Sequence, residues 1–249
     1  MPDRGVYVVA FGDPARKCAV RCVESWHYFM PGVPVAVAGV EPLGCEDVFV
    51  KAEDEDVGGR SVKTKIWDLA PAEWQYVLYA DADTELVASV PSLFGFLEDG
   101  WDALFCLNAK RYVTAENMRR PDNGDECDET VALYGTDHLI QYNGGVFGFR
   151  RNERTLALIR AWHTEWDIWG KRDQQSLMRA FFHNPVRLLT LGVEFNTSLR
   201  YYPAVRSVGI VHNQMNARRW KGIIKGRSDS DEALAATHPS WADLGGRPK

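Results

Sequence analysis

The chain has 249 residues, 45% hydrophobic and 25% charged, which are ordinary values for a globular protein and predict one large domain or two small ones. No run approaches the ~20 apolar residues of a membrane span, and MPDRGVYVVAFGD enters a strand pattern at once, without a signal-peptide pattern. Five cysteines without CxxC spacing argue against a disulfide framework or a zinc site and for a reducing, cytoplasmic setting.

The net charge of −5 divides into −10 over residues 1–107, +7 over 108–227 and −2 over 228–249. A basic second half could face an anionic ligand, or be solvated surface.

Gly5–Gly12 is a short apolar run closed by glycine and reads as a buried strand. Pro14–Met30 carries Ala19, Val23, Trp26 and Met30 at helical intervals, with proline in the first turn. Pro31-Gly32 stops that helix, and Val33–Val40 predicts a second strand, completing a βαβ unit. Asp47–Val50 predicts a short third strand, and the acidic stretch 51–59 a loop. Ser61–Ala70 predicts a helix with Ser61 as its cap. Tyr76–Ala80 predicts a strand that ends on Asp81-Ala82-Asp83.

Further on, Pro91–Leu97 predicts a short helix and Asp102–Leu107 a strand. Residues 108–138 show no clear period and predict a long loop, which is usually functional. Leu139–Tyr142 and Val146–Phe149 flank Asn143-Gly144-Gly145, a strong signal for a tight hairpin. Asn152–Trp169 predicts a helix with Leu156, Ile159, Trp162, Trp166 and Trp169 on its apolar face. A helix over Gln174–Phe182 follows, then strands over Val186–Leu191 and Ser207–Val211. Residues 1–227 therefore predict a single α/β domain with helices on both faces of its sheet. Residues 228–249 predict a polar, loosely ordered tail.

Ligands in such sheets bind beyond the carboxyl ends of the strands. Two carboxylates one residue apart in that position, Asp81 and Asp83, can converge on one hard cation. Mg²⁺ and Mn²⁺ commonly use one or two carboxylates plus substrate phosphates. The plain alternative is a pair of acidic turn residues.

The stretch Lys63-Thr64-Lys65-Ile66 followed by WQYVLYADADTELVASVPSLF resembles the metal-binding region of GT-A glycosyltransferases. So do YNGGVFGFRRN at Tyr142–Asn152, RDQQSLMRAF at Arg172–Phe181 and GIVHNQMNARRWKG at Gly209–Gly222. Their order and spacing are similar over residues 5–225, nearest to the glycogenin and lipopolysaccharide galactosyltransferase group, glycosyltransferase family 8. His212, Arg218 and Trp220 fall on that group's late histidine, lysine and tryptophan. Met215 stands at its glycine position and Arg219 at its proline.

The resemblance implies a GT-A fold, a Rossmann-like mixed sheet. It implies a metal-dependent transfer from a nucleotide-diphosphate sugar, most simply a UDP-sugar, to a hydroxyl acceptor, with retention of configuration. Asp81, Asp83 and His212 would hold Mn²⁺ or Mg²⁺, which stabilises the diphosphate as it leaves. Asp173 and Gln174 would act at the reacting carbon. Phe11, Gly12, Arg60, Lys63, Asn143, Gly144 and Gly145 would line the substrate site. Arg218 and Lys221 would meet the diphosphate.

Bland readings stand beside these. Phe11 could be core, Lys63 a solvated helix face, Asn143-Gly144 a turn, and Asp173 a helix cap. Trp162, Trp166 and Trp169 read as a core face. Arg111, Arg119, Arg120, Arg150, Arg151 and Arg154 could form one patch for an anionic acceptor, either a phosphorylated glycan or DNA with hydroxymethylated bases.

Other classes fit less well. A haloacid-dehalogenase-type phosphatase needs threonine at DxDxT, but Thr84 comes one residue early and Glu85 takes its place. A nucleotidyltransferase needs a glycine-rich start that is absent. A non-catalytic sugar-nucleotide-binding protein is the remaining alternative.

Overall fold

The computed structural model describes residues 3–53, 59–107, 119, 123–139, 141–170, 172–198 and 208–212. The expected tail 228–249 lies outside the described residues, as does most of the expected loop up to residue 122. The elements in chain order are β1 (Arg4–Val9), α1 (Gly12–Phe29), β2 (Val35–Gly39), β3 (Val48–Lys51), α2 (Arg60–Thr64), α3 (Ile66–Leu69), β4 (Tyr76–Asp81), β5 (Thr84–Leu86) and α4 (Ser92–Glu98). They continue with β6 (Ala103–Leu107), α5 (Gly124–Tyr134), β7 (Tyr142–Arg150), α6 (Glu153–Trp169), α7 (Asp173–His183), β8 (Leu188–Leu191), a 3₁₀ turn (Val193–Phe195), β9 (Thr197–Ser198) and β10 (Ile210–His212).

Seven strands form one sheet in the order β3-β2-β1-β4-β7-β6-β8. All its strands are parallel except β7, which runs against both β4 and β6. Side chains alternate between the faces of a strand, and here both faces are covered. Val6, Val8, Leu78, Ala80 and Leu104 point to the α1 and α4 side, against Val23, Trp26 and Phe94. Tyr7, Val9, Val77, Tyr79 and Phe105 point to the other side, against Ile66, Leu158, Trp162 and Leu177. Burial on both faces is why these strands read as continuous apolar runs.

Strand order reverses direction between β1 and β4, which are hydrogen-bonded neighbours with Val9 opposite Asp81. That junction is where open α/β sheets leave a crevice for ligands. A second, three-stranded sheet, β5-β10-β9, stands beside it. β4 ends at Asp81, and the chain turns through Ala82-Asp83 into β5, which pairs antiparallel with β10. Thr84 Oγ1 donates to the Asp81 carbonyl (2.7 Å) and closes that turn.

Several local expectations are corrected. Ser61 is not a cap; it is buried inside α2, which starts after Gly59. The helix expected over 61–70 divides at Lys65 into α2 and α3. Asn143-Gly144-Gly145 is not a hairpin turn but part of the continuous strand β7. The pairing with β6 shifts there, from Phe105–Phe147 to Cys106–Asn143, so the glycines form a bulge.

Part of the expected loop is helix α5, whose buried face is Glu126, Cys127 and Thr130. Arg179 ties that polar face to α6, donating to Glu126 Oε1 (3.2 Å), Thr130 Oγ1 (2.9 Å) and Glu165 Oε2 (2.8 Å). A helix that buries charge rather than leucine carries no apolar period, which is why its sequence reads as a loop. The Asn152 side chain accepts from Thr155 N (3.0 Å), capping α6. Trp162 and Trp166 are buried as core, as expected, whereas Trp169 is only half-buried.

Candidate active site

A cleft of about 350 Å³ opens at the carboxyl ends of β1 and β4. Its walls carry Arg60 and Lys63 from α2, Asp81 and Asp83 from the β4–β5 turn, Asn143, Gly144 and Gly145 from the β7 bulge, Asp173 and Gln174 from the start of α7, and His212 from β10. The structure thus brings together ten residues singled out in the sequence, from five separate segments.

Asp81, Asp83 and His212 converge most closely. His212 Nε2 lies 3.1 Å from Asp83 Oδ1 and 3.4 Å from Asp81 Oδ2. One donor atom from each residue lies within 4.8 Å of the others. Two carboxylates and an imidazole form a mixed oxygen and nitrogen set that could hold a divalent cation. Adjacent ligands on an octahedral ion with ~2.1 Å bonds lie about 3 Å apart, so the spacing fits such an ion.

Charge is concentrated here. Burial disfavours the protonated imidazole of His212, but hydrogen bonds to Asp81 and Asp83 and their charges outweigh it and push its pKa up to about 10. Burial would raise the Asp81 carboxyl, yet Lys63, His212 and Tyr79 hold it well below the usual carboxylate range. Tyr79 donates its hydroxyl to Asp81 Oδ1 (2.7 Å).

Lys63 reaches across the cleft. Its ammonium lies 2.8 Å from Asp173 Oδ2 and 3.2 Å from Asp81 Oδ1, and 4.9 Å from the centroid of the Tyr79 ring. The side chain is buried, so it is not a solvated helix face. Burial lowers its pKa, but the two carboxylates more than compensate and keep it charged. Asp173 is not a helix cap either. The N-cap of α7 is Arg172, which makes no side-chain capping bond, and the Asp173 carboxylate turns to Lys63. Its backbone carbonyl accepts from Trp162 Nε1 (2.7 Å) and Ser176 Oγ (3.0 Å), which ties the head of α7 to α6.

Two expectations fall away. Phe11 is buried in the core under the sheet, and neither it nor Gly12 lines the cleft. Gly12 instead starts α1 at φ +74°, a left-handed conformation. Val9, Ala15 and Gly59 occupy that edge. Gly59 also has φ +68°, and a Cβ there would press on Phe11 and Val9. Arg218 and Lys221 lie outside the described residues.

The six arginines are not one patch at the Asn143 turn. β7 carries Arg150 to the opposite end of the sheet, across from Tyr76. There Arg150 and Arg154 hold the buried Asp102 at 3.0 and 2.7 Å. Arg151 donates to the carbonyls of Trp67, Ala70 and Trp74. Arg119 pairs with Asp128, and Arg111 and Arg120 lie outside the described residues.

Tyr79 and Asn196 escape a reading of the sequence. Tyr79 sits in an apolar strand run. Asn196 follows an irregular turn, and only the β9–β10 pairing brings it to His212. Its side chain meets both His212 and Asn143.

Set against protein-family models and against curated proteins, the chain matches none. Among the described residues, no helix is long and apolar enough to cross a membrane.

Proposed function

We propose that this protein is a metal-dependent glycosyltransferase of GT-A type. It moves a sugar from a nucleotide-diphosphate sugar, in the first instance a UDP-sugar, to a hydroxyl acceptor. The observation that carries the reading is the convergence of Asp81, Asp83 and His212 at the head of a cleft at the sheet's switch point. Lys63, Asp173 and Gln174 stand in the same cleft. The mixed sheet covered on both faces and the four sequence motifs support it.

When bound, Mn²⁺ or Mg²⁺ supplies charge stabilisation to the departing diphosphate. Asp81, Asp83 and His212 hold it. Lys63 donates to the Asp173 carboxylate (2.8 Å) and fixes it beside the metal site, where it would meet the donor sugar. Asp173 and Gln174 orient sugar hydroxyls near the reacting carbon, and the β7 bulge closes the side of the site. Retention of configuration follows the family resemblance alone. The acceptor is a hydroxyl-bearing molecule. Arg150, Arg151 and Arg154 hydrogen-bond within the fold at the far end of the sheet, so these three do not support a nucleic-acid acceptor.

The test is a screen of nucleotide sugars with Mn²⁺, reading released nucleoside diphosphate. At least one UDP-sugar should release UDP, and a chelator should stop it. Release by none of them, or release unaffected by chelator, would overturn the reading.

A further inference from the structure

We infer that Asn196 is a positioning residue that fixes the proton on His212 Nδ1 and so reserves His212 Nε2 for the cation. The inference rests on His212 being a metal ligand.

Gly145 N–H can only donate, and it lies 2.7 Å from one amide atom of Asn143. That atom must therefore be Oδ1, an acceptor. The same Oδ1 lies 2.9 Å from the Asn196 amide, so the Asn196 atom facing it must be Nδ2, a donor. The other end of the Asn196 amide is then Oδ1, an acceptor, and it lies 2.8 Å from His212 Nδ1. An acceptor on one side requires a donor on the other, so Nδ1 carries the proton. Nε2 faces Asp81 and Asp83. When a cation takes the place of the Nε2 proton, Nδ1 keeps its own, because only an acceptor faces it.

Burial makes the relay binding. Asn196 is 5% exposed, so water cannot readily replace a lost partner, and an inverted amide would set oxygen against oxygen at Asn143. The glycine at 145 belongs to the device. A Cβ there would overlap the His212 ring and press on Asn143 Oδ1. The Asn-Gly-Gly bulge thus acts partly as a template for the histidine, through Asn196. Partners of this kind on the far nitrogen of a metal-bound histidine typically change affinity by about 10- to 100-fold.

The experiment measures Mn²⁺ affinity without nucleotide or turnover, from loss of the free Mn²⁺ electron paramagnetic resonance signal. It compares wild type, Asn196→Ala, His212→Ala and the double variant, with melting temperatures of the metal-free proteins as a separate check on folding. Asn196→Ala should weaken Mn²⁺ binding about tenfold or more in the wild-type background. In the His212→Ala background it should change binding by less than about twofold. Asn143→Ala, which leaves Asn196 in place but removes its orienting partner, is the second variant and should show the same dependence on His212. Wild-type affinity in both variants, or equal losses in the two backgrounds, would overturn the relay while leaving the metal site standing. Failure of wild type to bind Mn²⁺ at millimolar concentration would overturn the metal reading and the relay together.

Discussion

Lys63 and Asp173, 110 residues apart, meet at 2.8 Å inside the cleft. The contact joins α2 to the head of α7, and the same ammonium touches Asp81. One buried cation therefore serves both the candidate metal site and the candidate sugar site.

Removing the ammonium strands two carboxylates, so Lys63→Met should destabilise the fold by about 3 kcal/mol and abolish turnover. Asp173→Asn keeps an acceptor for Lys63 but loses the charge. It should stay within about 1 kcal/mol of wild type while turnover falls about 100-fold, near 3 kcal/mol in barrier. Urea unfolding beside a rate assay separates the two. Near-normal turnover in Asp173→Asn would remove Asp173 from the chemistry.

Gly145→Ala tests the bulge. The added methyl must displace the His212 ring or the strand. Mn²⁺ affinity should fall about tenfold or more, with a smaller effect on the melt than an equivalent change in the core. Unchanged affinity would mean that the ring has room the geometry denies it.

Asp102 supplies a prediction about acid. Burial would raise its carboxyl, but hydrogen bonds from Arg154, Arg187 N, Arg150 and Asn152 hold it below the usual carboxylate range. A carboxyl depressed on folding stabilises above its unfolded pKa, about 3.9, and that stability is lost as pH falls below it. Asp102→Asn should therefore lower stability at pH 7 and flatten the fall in stability below about pH 4. Parallel pH profiles for the two proteins would contradict this.

The sheet was legible in the sequence because its strands are buried on both faces and bounded by glycine, proline or acidic turns. Asp81 and Asp83 were legible because they sit at a strand end, and Lys63 because it precedes that strand in a recognisable order. What stayed hidden depends on pairing between distant segments. Asn143-Gly144 carries a hairpin signal, yet the β6 register and the His212 ring make it a bulge. Gly124–Tyr134 hides a helix because its buried face is Glu126, Cys127 and Thr130, which pair with Arg179 and Gln175 from α7. The arginines near Asn143 in sequence are far from it in space because β7 runs the length of the sheet. Asn196 has no local signal, since its role exists only once β9 lies beside β10.

We propose that Asp81, Asp83 and His212 hold a cation on which departure of the nucleoside diphosphate depends. The most direct measurement is release of UDP from a UDP-sugar by wild type and by Asp83→Ala, each in Mn²⁺ and in EDTA. Release should occur only in wild type with Mn²⁺, with Asp83→Ala at background in both conditions. Equal release by wild type in EDTA, or by Asp83→Ala in Mn²⁺, would contradict it.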